Sequence, residues 1–416
     1  MENLALFNRV IAVFFFICYS YQMLYLLVPF IFKPRPRREA PPHRYAVLIS
    51  ARNEEKVITQ LIESIDRQTY DMSLVTVFVM ADNCTDRTAA LARETGAVVY
   101  ERFNRELVGK GYALHELLEH IGSDYPEDSF DGYFIFDADN VLSPTYMEEM
   151  NRSFDHGHRI VTSYRNSKNY GDNWISAGYG LWFLRESKYL NHARMLLGLS
   201  CGVSGTGFLF SREVLRRMGG WNCFLLTEDI EFSVANILEG ERIAYCPDAV
   251  LYDEQPVRFS QSWRQRLRWA KGYLQVFHRY GGELIRNALR GNFSCFDMTM
   301  TIMPAIIVST LSILVNGTAA VVGLIRDGSS IPVLASFLTA MGNLYLTLYV
   351  VGLITTVTEW RAIHTVWWKK IFYTFTFPLF MMTYIPISLT ALFKKVSWQP
   401  IEHTRAKDLC DILSGG

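Results

Sequence analysis

The chain lacks net charge. Its 41 Lys and Arg are balanced by 41 Asp and Glu, so nothing draws it to a bulk polyanion, and nucleic acid is not an expected partner. It also lacks paired cysteines. Seven are scattered over 416 residues with no CxxC and no zinc-ligand spacing, which argues against both a zinc site and a disulfide framework. There is no GxxxxGK[ST] run, so the P-loop route to phosphate is excluded. No internal repeat stands out. An "NCT" sequon at Asn83 is discounted, because it falls in a loop assigned below to a site.

Long apolar runs, by contrast, are abundant. Hydrophobic residues make up 50% of the chain and are unevenly spread. Val10–Phe32 has 23 uncharged positions, Met298–Ile325 has 28, Ser329–Thr358 has 30 and Ile371–Phe393 has 23. Each is long enough to cross a hydrocarbon core of about 30 Å. The first is too long for a signal peptide and reads as an anchor. The basic linker "KPRPRREAPPHR" then puts the following domain in the cytoplasm and the N-terminus outside. The last run leaves two readings open. Lysine pairs at 369–370 and 394–395 make both ends look cytoplasmic, while Pro378 and Pro386 lie inside it. A simple span and a broken, re-entrant element fit equally. A cytoplasmic tail would let "WQPIEHT" (398–404) approach the site. The organisation expected is an anchor (1–36), a soluble domain (37–255), interfacial helices (256–296) and a C-terminal membrane region with tail (297–416).

In the soluble part, strand-like runs alternate with helical patterns. "YAVLI" (45–49), "LVTVFVM" (74–80), "AVVYE" and "YFIF" (133–136) are followed by "SARNEE", "ADNCTD", "GKGYALHELLEHI" and "DADN". This βαβα order predicts a mostly parallel, doubly wound α/β sheet, whose ligands sit beyond the carboxyl ends of the strands. The acids fall at those ends: Glu54, then Asp82 and Asp86, then Asp137 and Asp139. One such acid is easily explained as a helix N-cap. Three neighbouring strand ends suggest a site.

Asp137-Ala-Asp139 is the single DxD. Two carboxylates so close can share a hard cation such as Mg²⁺, which also takes phosphate oxygens; the plain alternative is a turn held by Asx bonds. Lys110, in "VGKGYAL", stands at a helix start that favours phosphate, or in an ordinary glycine turn. In "LLTEDIEFS", Thr227 fits an N-cap with Glu228 and Asp229 in the first turn, and Asp229 also fits a general base. In "SWRQRLRWAKGYLQVF" (262–277), Gln265, Arg268 and Trp269 share one helix face. Alone, that segment favours a basic helix lying on a lipid surface.

Taken in order, "ADNCTD", "DAD", "TED" and "QRLRW" resemble the D, DxD, [TE]D, QxxRW signature of the membrane-embedded family 2 glycosyltransferases, the group of cellulose, hyaluronan and poly-N-acetylglucosamine synthases. The resemblance covers about residues 45–275, and the flanking apolar runs match by layout. It implies a GT-A fold inserted between transmembrane helices, and an inverting β-transfer from a UDP-sugar, UDP-glucose or UDP-N-acetylglucosamine above all. By the same resemblance Ala51, Asn53, Glu54 and Asp82 contact the nucleotide and Lys110 lies near it. Asp137 and Asp139 hold the nucleotide's Mg²⁺ or Mn²⁺. Glu228 lies at the substrate, Asp229 is the base, and Gln265, Arg268 and Trp269 bracket the pyrophosphate and acceptor. The reading is a processive exopolysaccharide synthase at the cell membrane, with single-sugar transfer to a lipid or lipid-linked acceptor as the alternative. Asp82 stands without the adjacent aspartate of many relatives. The membrane set is small for a self-contained channel, so a polymer product calls for an accessory export or oligomer partner.

Overall fold

The computed structural model describes residues 2–32, 39–327 and 331–414. The basic stretch 33–38, on which the orientation expectation leans, and residues 328–330 lie outside the described residues. Eight strands form one sheet in the order β3-β2-β1-β4-β7-β6-β8-β5. They are β1 (Tyr45–Ala51), β2 (Val75–Asp82), β3 (Val98–Arg102), β4 (Gly132–Asp137), β5 (Val141–Leu142), β6 (Ile160–Ser167), β7 (Phe208–Ser211) and β8 (Ile243–Asp253).

The expected strands and their parallel pairing are present in β1 to β4. The rest of the sheet is mixed: β7 and the two-residue β5 run against the other six strands, so the sheet is mostly parallel, as expected, with two reversed strands. Strand β7 runs antiparallel to both β4 and β6, so β6 and β8 again point the same way as β4. Their carboxyl ends therefore meet at one edge: Ser50 pairs with Asp137, and Ser167 with Asp253. The strand order reverses between β1 and β4, the place where open α/β sheets leave a crevice.

Side-chain alternation builds two cores from one strand. On β1, Val47 and Ile49 join Leu61 and Ile65 of α2 (Ile58–Asp66). Ala46 and Leu48 join Leu114 and Leu117 of α3 (Lys110–Asp124) on the opposite face. All are essentially fully buried, each aliphatic side chain contributing about 1.5–3 kcal/mol. The other helices that shape the site are α4 (Trp174–Arg185), α5 (Glu228–Leu238), α6 (Phe259–Leu289) and α7 (Phe293–Ile302). The membrane-side helices are α1 (Glu2–Tyr25), α8 (Pro304–Asp327), α9 (Ile331–Thr358), α10 (Trp367–Met382) and α11 (Tyr384–Phe393).

Among the described residues, Leu6–Ile31, Val333–Thr358 and Trp367–Phe393 are long and apolar enough to cross a membrane, and Thr310–Arg326 is a shorter apolar helix. The expected run Met298–Ile325 is not one helix. It divides at Met303, so that α7 packs into the sheet-side core through Cys295, Met298 and Ile302, and α8 starts at Pro304. The boundary at 296/297 accordingly falls inside α7. The run 371–393 is also divided, at Thr383. Pro378 sits within α10, whereas Pro386 lies in the first turn of α11, where its missing N–H withdraws a bond from the junction. Arg266 of α6 reaches the junction, donating to the Phe380 carbonyl (3.1 Å) and Thr383 Oγ1 (2.6 Å). Both arms lie on the sheet-bearing domain: Lys369 Nζ donates to the Gly171 carbonyl at one end, and Lys271 Nζ to the Ala391 carbonyl at the other.

Helix α1 is clamped to this frame by polar groups. Arg194 meets both oxygens of Asp297 (2.7 and 2.9 Å), and Tyr21 and Tyr25 donate to the same carboxylate (2.7 and 2.9 Å). Arg194 and Asp297 are both nearly inaccessible. Further along, Asn8 and Asn316 exchange two amide bonds (2.9 and 2.8 Å). Removing one partner of a buried pair leaves the other charge without compensation. Asp297→Ala is therefore expected to cost about 3–5 kcal/mol, read as a lower Tm of the detergent-solubilised protein. An unaltered melting curve would show that the clamp contributes nothing.

Candidate active site

The carboxyl edge of the sheet opens into a cavity of about 1380 Å³. Glu54, Asp82, Lys110, Asp137, Asp139, Glu228, Asp229, Gln265, Arg268 and Trp269 all line it. Two expected residues do not. Ser50, Arg52 and Glu54 line the cavity; Ala51, the last residue of β1, points the other way from Ser50, and Asn53 lies beyond the strand. Ala51 is buried in the core, and Asn53, in a left-handed conformation (φ 58°), accepts from the Thr85 amide. Asp86 is likewise turned to local work, bonding Thr88 and the Glu55 amide.

The acids are arranged against cations. Asp82 is buried and accepts from Arg102 (2.8 Å). Lys110 binds Asp137 and donates to the Gly205 carbonyl (2.7 Å). It reaches them because α3 presses against the loop before α5: a Cβ on Gly111 would stand 2.1 Å from the Cys223 oxygen. Asp139 is buried and accepts from the Glu254 amide (2.7 Å). Burial alone would raise its pKa, but His403 and Lys168 outweigh that and hold it below the usual range. Arg165 and Asp253 form a further buried pair (2.8 Å), and Arg165 also donates to the Ser204 carbonyl (2.8 Å).

Glu228 and Asp229 are neighbours at the start of α5. Burial, then the charge of Asp229, pushes Glu228 up to about 7. Burial also raises Asp229, against the pull of Lys110 and Arg268. Thr227 occupies the N-cap position, but its hydroxyl makes no capping bond and is buried without a partner, so the capping reading does not hold. Helix α6 is not a lipid-surface helix either. Leu267 and Ala270 pack under Ile387 and Ala391 of α11, and Arg266 is fully buried. That leaves Gln265, Arg268 and Trp269 facing the cavity, with the Trp269 ring edge-on to Tyr179 (5.8 Å).

The largest contribution missing from local sequence patterns is the tail. Residues 394–408 have no regular structure and run across the mouth of the site. His403 Nδ1 lies 3.0 Å from both Glu54 oxygens, and Nε2 lies 4.0 Å from Asp139. Burial would lower this histidine, but Asp139 and Glu54 override it and push it up to about 10. The Thr404 and Arg405 amides donate to Glu254 (3.0 and 2.8 Å), and Arg52 lies 5.4 Å over the Trp398 ring. "WQPIEHT" between lysines and the chain end was the only available signal.

Residues 41–272 match the family described as Glycosyltransferase like family 2. The chain belongs to this family. It is 25% identical over 259 residues to the probable glycosyltransferase YdaM of Bacillus subtilis, covering 58% of each chain. It is 25% identical over 281 residues to a beta-monoglucosyldiacylglycerol synthase of Nostoc sp., covering 64% of this chain and 57% of that protein. A poly-beta-1,6-N-acetyl-D-glucosamine synthase of Staphylococcus aureus is 25% identical over 244 residues, covering 56% and 55%. The chain thus spans less than two thirds of the length of these relatives. The mannosyltransferase PcManGT from Pyrobaculum calidifontis, solved with GDP-Man and Mn²⁺, superposes with a TM-score of 0.59 over 92% of this chain and 98% of that one, at 18% identity. The fold is of the GT-A type with a mixed sheet, and the family makes the protein a transferase.

For a glycosyltransferase base, the ionised form is the active one. With Asp229 as the base the sequence resemblance implies, and with burial raising its pKa, transfer is expected to be lost as pH falls through its titration. Glu228→Gln removes the neighbouring charge that makes ionising both carboxylates costly. The acid limb of the kcat/KM profile is expected to move to lower pH in this variant. An unmoved limb would show that the two carboxylates titrate independently.

Proposed function

We propose that the protein transfers a sugar from a UDP-sugar, with inversion, to a hydroxyl group of a membrane lipid. One observation carries the reading: the cavity that holds the acids continues along Ile11 and Phe15 of α1, Ile313 of α8, and Phe337 and Leu344 of α9. Such walls suit acyl chains and give a carbohydrate polymer few hydrogen-bonding partners. In this reading α1, α8 and α9 lie in the cell membrane and the catalytic domain faces the cytoplasm.

A divalent cation fits Asp137 and Asp139. Both are hard oxygen donors on the cavity wall. Among the described residues no group of three or more His, Cys, Asp or Glu side chains converges as a protein-only cage, which suits an Mg²⁺ or Mn²⁺ completed by phosphate and water oxygens. The ion, when bound, neutralises charge on the leaving diphosphate. Glu54, Asp82 and the tail hold the nucleoside end. Lys110 and Arg268 bring positive charge to where the diphosphate develops its own. Asp229 takes the proton of the acceptor hydroxyl, whose oxygen forms the new bond to the anomeric carbon. The bond from that carbon to the phosphate oxygen breaks, and its electron pair leaves with UDP. Trp269 offers the acceptor a flat apolar wall.

That same platform favours a second reading, a processive polysaccharide synthase, since a growing chain needs a surface on which to re-seat. Sizing the product separates them. Purified protein with a panel of UDP-sugars, Mg²⁺ or Mn²⁺ and mixed lipid is expected to yield a lipid carrying one sugar. A high-molecular-weight carbohydrate would overturn the lipid reading. Asp229→Asn is expected to lower the rate about 10²–10⁴-fold with UDP affinity retained; a near-wild-type rate would remove the base assignment.

The tail contributes to the donor side. Trp398→Ala is expected to raise the KM for the UDP-sugar about tenfold, since a stacked cation–ring contact is worth about 0.5–2 kcal/mol and the loop it anchors closes the pocket. Steady-state kinetics with the donor varied checks this, and an unchanged KM would reduce the tail to packing.

A further inference from the structure

Between the acids and the apolar walls the cavity has a polar collar that no part of the mechanism above uses. It is made by Gln22 of α1, Arg185 at the end of α4, and Glu186. Arg185 Nη2 donates to Gln22 Oε1 (3.0 Å), and its guanidinium lies 5.1 Å over the Trp182 ring. Among the described residues no carboxylate hydrogen-bonds this guanidinium. Glu186 accepts from Ser204 Oγ (2.6 Å). The next residue, Gly205, is where Asp229 Oδ2 comes within 3.8 Å of the position a Cβ would take. Glu186 and Asp229 thus approach the same Ser204–Gly205 segment.

The backbone is irregular at this point. Residues Glu186–Asn191 form a π-helical turn, a rare conformation that recurs at functional sites. The turn is held by reciprocal bonds between the Asn191 side chain and the backbone of Gly202 (both 3.2 Å). Arg185 closes α4 and Glu186 opens the π-helical turn, and both line the cavity. Helix α1 gives the order along the cavity. Gln22, Phe15 and Ile11 all line it, and at 1.5 Å per residue Phe15 lies about 10 Å and Ile11 about 16 Å further from the catalytic domain than Gln22. The collar stands at the entrance to the catalytic half.

We propose that Gln22, Arg185 and Glu186 form an acceptor headgroup subsite for a neutral, hydroxyl-bearing head of a diacyl lipid, the glycerol of a diacylglycerol or the sugar of a glycosyl-diacylglycerol. This rests on the lipid-acceptor reading above. The collar carries one positive and one negative charge, so it has no net attraction for an anion. Hydroxyl groups use both: they donate to Glu186 and accept from Arg185 and Gln22. A phosphodiester head would instead meet Glu186 with Glu228 and Asp229 behind it. The acyl chains then lie on the apolar faces of α1, α8 and α9.

The test uses the full chain in phosphatidylcholine nanodiscs containing dioleoylglycerol, its monoglucosyl derivative, or dioleoylphosphatidylglycerol, with the UDP-sugar that the wild type uses fastest. One of the two neutral lipids is expected to be glycosylated, and the arm that reacts identifies the head. Gln22→Leu, Arg185→Gln and Glu186→Gln are each expected to raise the acceptor KM at least about tenfold, the scale of one lost buried hydrogen bond, with kcat held within about threefold. UDP affinity and melting temperature confirm that each variant is folded; Gln22→Leu lies outside the catalytic domain and covers the case in which the other two do not fold. Acceptor KM values at the wild-type level, a fall in kcat without a rise in KM, or preference for phosphatidylglycerol would overturn the subsite while leaving lipid transfer intact. A wild type that makes polymer and glycosylates no lipid would overturn both.

Discussion

The crowding of negative charge at one sheet edge is the constraint on which the rest of the molecule depends. Parallel strands deliver Asp82, Asp137 and Asp253 to the same edge, and Glu54, Asp139, Glu228 and Asp229 crowd in from the loops. Taking such charges out of water is costly unless each is compensated. Each part of the fold that reaches the edge brings a cation. Arg102 comes from β3 to Asp82, Lys110 from α3 to Asp137, Arg165 from β6 to Asp253, and His403 from the tail to Glu54 and Asp139. Glu228 and Asp229 have no side-chain salt bridge of this kind among the described residues; burial raises both, as it also raises Glu54, Asp82 and Asp253 against the pull of their cations. Asp229, the proposed base, is one of these two unpaired carboxylates.

The membrane-side helices are joined to this site rather than appended to it. Helix α6 shows its apolar residues and Arg266 to α10 and α11 while its other face lines the cavity. The Arg194–Asp297 clamp fixes α1 beside the π-helical turn. A single cavity therefore runs from a charged end to an aliphatic one, the observation from which the lipid acceptor is proposed.

Much of the fold and site was legible in sequence because the relevant signals are local. Strands β1 to β4 show as apolar runs, each acid follows its strand directly, and three residues on one turn of α6 share a face by helical geometry. The same reasoning overreached where it treated a motif as a block. In "SARNEE" Arg52 and Glu54 reach the cavity and Ala51 and Asn53 do not. The long apolar runs hid their breaks, since hydropathy reports composition and not whether carbonyls at a junction find a donor such as Arg266.

By itself the sequence determined the strand-end acids, the DxD, the facing residues of α6 and the positions of the apolar helices, because each depends on neighbours within about one turn or one strand. Tertiary structure alone decided the reversal of β7, the Arg165–Asp253 pair, the Arg185–Glu186 collar and the arrival of His403 at Glu54. The last two partners are 349 residues apart. A contact between single residues that distant leaves no periodicity in either segment, and only the folded chain brings them together.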